Sequence, residues 1–485
     1  MKRIFSSPIF PLLLGLGLRL MFILKFPATS GDSILYEQMA TNWLQHHTYA
    51  MNVNGAVTPV DLRMPGYPGF LVMIYVLSGK VGAAAHGAVM IAEALVDLLD
   101  CLAVAGLAAT LFAIVDHSGN NKPVFTAALW LSALCPFIGN YSATLLTETI
   151  AVLLTTVALF LLVTMASSRD DLPPTVVQQK WNWNMNYRAA AMLAGFVVGL
   201  GTLFRPETPL LLMAAWLGGA AVYFPTGQVR RWLRIVILSG ITCVLPLVPW
   251  ALRNAVTLHE LQFLAPRNSN LPGELVPYGF MAWEKTWLFR VSDCYQVPWK
   301  LNDEVIDINT IPARAFDSAE EKSRVADILE QYNNDLTLTL EEDAAFAQLA
   351  RERTQRHPLR RYLVIPALRG VTLWFTPRIE LLPVSGTVFP LKQSWQDDKV
   401  DQSVTVGFFL LNIFYVVLGV CGGWRLWRWN HAVRPAIIML AVFVLLRTAF
   451  LTTVETPEPR YVLECYPVLL ALGATLFGKR YGRTA

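Results

Sequence analysis

Apolar residues run along this chain in long blocks rather than in alternation. The blocks fall at about 5–26, 87–115, 123–139, 144–166, 189–204, 208–224, 232–252, 404–424, 434–453 and 461–478, each bounded by charge, Pro or Gly. A helix needs roughly 20 apolar residues to cross a bilayer. The pattern therefore predicts an all-α polytopic membrane protein of about ten transmembrane helices, the shorter blocks borrowing flanking residues. One further block, 66–79, is short and opens with Gly66, Pro68 and Gly69. Runs of that length more often lie in the interface than span.

The positive charges decide how block 66–79 is read. If it does not span, one side of the membrane collects Lys2, Arg3, Lys122, Arg169, Lys180, Arg188, Arg230, Arg231, Arg234, Arg425, Arg428, Arg434, Lys479, Arg480 and Arg483. The short loops on the other side hold little beyond Arg63, Lys80, Arg205 and Arg460. Cytoplasmic loops are the ones enriched in Lys and Arg. If 66–79 spanned, every later loop would change sides and the bias would vanish. The block is therefore placed in the outer interface, with both termini cytoplasmic. Lys2 and Arg3 before an apolar run also resemble a signal peptide. Arg19 and Lys25 inside the run, with no clear cleavage site after it, favour a retained first helix.

Two outer segments follow from this topology. One is the first loop, 27–86. The other is the polar stretch 254–403, which separates an N-terminal transmembrane module, 1–253, from C-terminal helices in 404–485. The stretch is long enough for a small, mainly helical outer (periplasmic) domain. Ser318 with Glu321, and Thr339 with Glu342, have capping-box spacing, and the second helix is expected to stop at Pro358.

Composition narrows the chemistry. Only 15% of residues are charged against 54% hydrophobic, which suits surfaces that face hydrocarbon. The net charge of +4 is small and the basic residues form no stripe, which argues against nucleic acid. The six cysteines are scattered without a CxxC pair, so neither a disulfide framework nor a zinc knuckle is indicated. His46 and His47 are adjacent and thus not on one helix face. No P-loop, GxSxG or HExxH pattern occurs. The residues call for no cofactor, and a requirement for a divalent metal is left open.

Polar residues cluster instead at the outer ends of several spans. Asp32 follows the first, Arg63 precedes the interfacial block, and Glu148 opens a span. Arg205 and Glu207 lie between two spans, Arg253 leaves the bilayer, and Arg460 with Tyr461 re-enters it. A lipid phosphate keeps its tail in the bilayer and its headgroup at this level. Arg offers phosphate a planar fork that stays charged, and a carboxylate can take the proton of an incoming nucleophile. Each residue alone could equally be a cap or a snorkelling side chain. Glu93, Asp97 and Asp100 lie within the second span on one face, toward protein or water rather than lipid. They read as structural.

These residues, in order, resemble the GT-C fold glycosyltransferases that use polyprenyl-phosphate sugars, a family that includes protein O-mannosyltransferases and lipid A aminoarabinose transferases. GDSILYEQMATNWLQHHTYA is similar to the family's first outer loop, and RMPGYPGFLVMIY to its Arg-Pro-Pro-Gly-Tyr-Pro signature, which contains Tyr67. LLTETIAVLL, GLGTLFRPET, PWALRN, HPLRRY and EPRY are similar to later landmarks. The resemblance covers nearly the whole chain. It implies a GT-C-like bundle in the inner membrane and transfer, with inversion, from a polyprenyl-phosphate carrier to a lipid, glycan or protein acceptor on the outer face. It implies Asp32 as general base, and Arg63, Tyr67, Glu148, Arg205, Glu207, Arg253, Arg460 and Tyr461 as substrate-binding residues. Two departures stand out: Ser33 follows Asp32 where eukaryotic mannosyltransferases have a second acid, and Met64 replaces the first Pro. The rival readings are a secondary transporter, for which Glu93, Asp97 and Asp100 are the only hint, a membrane sensor, and a lipid-linked oligosaccharide ligase.

Overall fold

The computed structural model describes residues 7–116, 120–167, 186–266, 268, 271, 273–386, 388 and 398–479. Lys2, Arg3, Arg169, Lys180, Arg480 and Arg483 of the charge argument lie outside these. Ten apolar helical segments correspond to the ten blocks. Among the described residues, six are long and apolar enough to cross a membrane, or seven if a pair bent by 47° counts as one span. The break in that pair, Lys122–Ala133 and Pro136–Ala143, falls at Pro136, which has no N–H to continue the helix. The chain is a multi-pass membrane protein that divides into two compact units. The first comprises 1–267, 377–446 and 463–485, and the second 268–376 with 447–462.

The first unit opens with α1 (Ile9–Lys25) and α2 (Gly31–His46). A hairpin follows, with Ala50–Val53 antiparallel to Ala56–Pro59. The all-helical expectation omitted this hairpin. Its cause is local: Asn54 and Gly55 both have positive φ, 50° and 82°, the backbone that a two-residue hairpin turn demands and that Asn-Gly supplies. Block 66–79 forms α3 (Gly66–Ser78), 13 residues long. Next come α4 (His86–Ala113), α5 (Lys122–Ala133), α6 (Glu148–Ser167), α7 (Tyr187–Thr202), α8 (Leu210–Tyr223) and α9 (Val229–Val244).

Helix association in a bilayer has little hydrophobic drive and depends on close approach and polar ties. Both are present. In α7, a Cβ added to Gly195 or Gly199 would lie 2.2 Å from the carbonyl oxygen of Ser239 or Cys243 in α9, so this small-xxx-small face lets the two backbones touch. Arg19 of α1 is fully buried. Its Nε donates to Asp97 at 2.5 Å and its Nη1 to the Gly15 carbonyl at 3.1 Å, and it also reaches the Ala133 carbonyl. This partnering explains how a charge is tolerated in the first span.

The second unit has its own core, built around Phe280, Trp283, Trp287, Val325, Leu329, Phe346 and Leu349. The helices Ala319–Asp335 and Leu340–Arg356 begin as the sequence predicts. Ser318 accepts from the Glu321 N–H, and Thr339 with Glu342 closes a reciprocal capping box. Arg353 is buried against Glu321. Arg360 holds Asp317 through two bonds of 2.7 and 2.9 Å. Burial would raise the Asp317 carboxyl, but the Arg360 hydrogen bond and the charges of Arg353, Arg360 and Arg356 hold it below the usual range.

Candidate functional site

Asp32 lies in the first turn of α2, where the helix dipole favours an anion. The start of α2 is fixed locally. The Ser30 N–H donates to Ser33 Oγ at 3.0 Å, and the Ser33 N–H donates to Ser30 Oγ at 3.3 Å. Ser33 Oγ also donates to the Leu145 carbonyl at 2.9 Å. Ser33 is thus buried, capping α2 and tying it to the segment that leads into α6.

Arg63 donates to Asp32 Oδ1 at 2.8 Å, and both side chains are about a quarter exposed, 26% and 23%. The Tyr49 hydroxyl holds the Arg63 carbonyl at 2.9 Å. Three residues on, the Gly66 N–H donates to the Leu203 carbonyl at 2.8 Å. A Cβ on Gly66 would lie 2.5 Å from that oxygen. Only glycine allows this approach, which brings the Arg63 segment against the end of α7, two residues before Arg205.

Arg205 forms the second ion pair, donating to Glu148 Oε1 at 2.5 Å, with Glu207 Oε1 3.8 Å away. This pair is more buried than the first, at 13% and 3% side-chain exposure. It places the C-terminal end of α7 beside the N-terminal end of α6, as alternating crossings require. Tyr36, one turn beyond Asp32, is buried and senses both pairs. Its hydroxyl is pushed up to about 12, first by burial and then by Asp32, while Arg63 and Arg205 act the other way and Glu148 adds to the rise. Four ionisable groups, Asp32, Arg63, Glu148 and Arg205, thus act on one phenol, two carboxylates against two guanidinium groups.

The remaining candidates are placed differently. Tyr67 is fully buried, and its hydroxyl donates to Glu93 at 2.5 Å. Arg253 directs its guanidinium to the Val60 carbonyl at 2.8 Å, the Tyr49 carbonyl at 2.5 Å and Asn254 Oδ1 at 2.9 Å. It clamps the base of the hairpin and sits over the rings of Tyr49 and Trp250. Arg460 and Tyr461 belong to the second unit. There Glu458 holds both, with Arg460 Nε at 2.7 Å and the Tyr461 hydroxyl at 2.5 Å. Among the described residues, no group of three or more His, Cys, Asp and Glu side chains could hold a metal ion. Reading the sequence missed Tyr36 and Thr149. Tyr36 has a usable signal, its spacing of four from Asp32, whereas Thr149 gives none.

No family model and no curated protein sequence matches the chain. Solved structures do. The Archaeoglobus fulgidus oligosaccharyltransferase, tethered with an acceptor peptide containing the NVT sequon, superposes with a TM-score of 0.50 at 11% identity, covering 96% of this chain and 49% of that one. The chain has the GT-C fold. It spans about half the length of that enzyme. The same organism's oligosaccharyltransferase AglB, in complex with an inhibitory peptide and a dolichol-phosphate, gives 0.48 at 13% identity, with 96% and 49% covered. ArnT from Cupriavidus metallidurans, bound to undecaprenyl phosphate, gives 0.38 at 13% identity, with 96% and 77% covered.

Proposed function

We propose that this protein is a glycosyltransferase of the inner membrane that moves a sugar from a polyprenyl-phosphate carrier to an acceptor on the outer face. The observation that carries this reading is the partly exposed Asp32–Arg63 pair, whose charges and those of Glu148–Arg205 act on the same Tyr36 hydroxyl. Asp32 accepts the proton of the acceptor hydroxyl as its oxygen bonds to the anomeric carbon. The bond from that carbon to the phosphate oxygen breaks, and the phosphate leaves with the electron pair, so the configuration inverts. A phosphate leaving group needs no second acid, unlike the alcohol released in glycoside hydrolysis.

Arg63 and Arg205 stabilise the charge that develops on the departing phosphate. Each such donor is worth about 3 kcal/mol when fixed in advance. Both arginines are held by carboxylates, so their forks are oriented before the phosphate arrives, and the donor must compete for them. Glu148 and Glu207 set the position of Arg205, while Tyr67 and Arg253 hold the walls on which Asp32 and Arg63 stand. Arg460, held by Glu458 and flanked by Tyr461, belongs to the second unit and is assigned no part in this step. The transporter reading is less well supported, because Glu93 and Asp97 have partners within the bundle.

The test is turnover. Purified protein in nanodiscs is incubated with a panel of polyprenyl-phosphate sugars and candidate acceptors, and free carrier phosphate is measured. Release that depends on both substrates is expected, and its absence across the panel would overturn the reading. Arg205→Ala should lower release by about 100-fold, the loss of one fixed donor.

A further inference from the structure

Behind the two ion pairs lies a carboxylate that the mechanism does not use. Glu93, on α4, is 0% exposed. It accepts two hydrogen bonds, from the Tyr67 hydroxyl at 2.5 Å and from Thr149 Oγ1 at 3.0 Å. A carboxylate at bilayer depth is costly and persists only with partners. Asp97, one turn along the same face, is satisfied by a guanidinium, Arg19. Glu93 is different, since both its recorded partners are neutral hydroxyls and both adjoin the site. Thr149 immediately follows Glu148 at the start of α6. Tyr67 packs edge-on to Tyr36 with ring centroids 5.0 Å apart, and Tyr36 lies one turn from Asp32.

We propose that Glu93 is a positioning residue for the transfer reaction. By accepting from Tyr67 and Thr149 together, it holds the Asp32 branch and the Glu148–Arg205 branch of the site at one fixed separation. This rests on the transferase reading for its kinetic consequence, but the coupling itself belongs to the fold. An ordinary bundle tie would lower stability when lost and leave the reaction geometry alone. A positioning residue lowers the rate at saturating donor, because a misplacement of about 1 Å can cost on the order of 100-fold.

The experiment uses full-length Glu93→Gln, Tyr67→Phe and Thr149→Val in nanodiscs, plus the Glu93→Gln/Tyr67→Phe double variant. Single-turnover transfer at saturating donor, donor KM and hydrogen–deuterium exchange over 30–40 and 145–152 are measured on each. Expected are a fall in rate of about 100-fold for Glu93→Gln, a smaller fall for the other single variants and little change in KM. The double variant should be no slower than Glu93→Gln, and exchange should rise in both segments. A monodisperse Glu93→Gln or Tyr67→Phe protein with the wild-type rate would overturn the proposal, as would a loss that appears only in KM. If Glu93→Gln fails to fold, Tyr67→Phe decides, since it removes a single oxygen. If the wild type transfers nothing, the functional reading fails. Exchange then decides the coupling separately, and unchanged exchange in both segments would end it.

Discussion

The proposed chemistry rests on two ion pairs of different character. Asp32–Arg63 is partly exposed, and its Coulomb energy is screened. Glu148–Arg205 is nearly sealed, and breaking such a pair leaves a buried charge. Glu148→Ala should lower stability by about 3 kcal/mol, the lower end of that range, because Glu207 remains near Arg205. Glu148→Ala/Arg205→Ala should recover part of the loss. Thermal unfolding of the three variants checks this, and a single variant as stable as the wild type would contradict it. The groups themselves were legible as charges at span ends. Their pairing was not, because Arg63 meets Asp32 across 31 residues and Arg205 meets Glu148 across 57. The spacing of residues in a chain does not say which helix ends touch. Thr149 was hidden more deeply, since threonine is not unusual in an apolar helix.

Among the elements, those built by local rules were readable and those built by close approach were not. The N-cap at Ser318 and the capping box at Thr339 lie within four residues and needed no tertiary knowledge. The Asn54-Gly55 hairpin is just as local, but it was absorbed into an all-helical expectation. Gly66 could be read as a breaker, yet its contact with the Leu203 carbonyl belongs to the packing of α3 on α7. Gly66→Ala would force the two segments apart, costing about 1–3 kcal/mol as overpacking and displacing Arg63. A lower melting temperature together with slower transfer is expected, and an unchanged protein would refute the contact. In the second unit, Asp317 is held below the usual carboxylate range, so its contribution to stability is present above the unfolded value of about 4. It is lost as pH falls through the lower folded value. Asp317→Asn should therefore destabilise the unit at pH 7 and remove part of its acid sensitivity below pH 4. Unfolding followed by the fluorescence of Trp283 and Trp287 reads this out.

For the whole molecule, hydropathy and charge asymmetry placed ten apolar segments and kept α3 out of the count. They could not show that 447–462 folds with 268–376, because compactness is a property of contacts far apart in sequence. The proposed topology puts the polar stretch outside and the loop before α9 inside. Asp303→Cys should react with a membrane-impermeant maleimide in intact cells, and Arg230→Cys only after permeabilisation. The reverse pattern would move the active site to the cytoplasm. The central claim is narrower: Asp32 is the base for transfer from a lipid phosphate. It is tested most directly by the single-turnover transfer rate of Asp32→Asn at saturating donor. That variant keeps the shape of the side chain and its acceptor for Arg63 but loses the basic carboxylate. The account predicts a monodisperse protein that binds donor and transfers about 100- to 10,000-fold more slowly. A wild-type rate would contradict it.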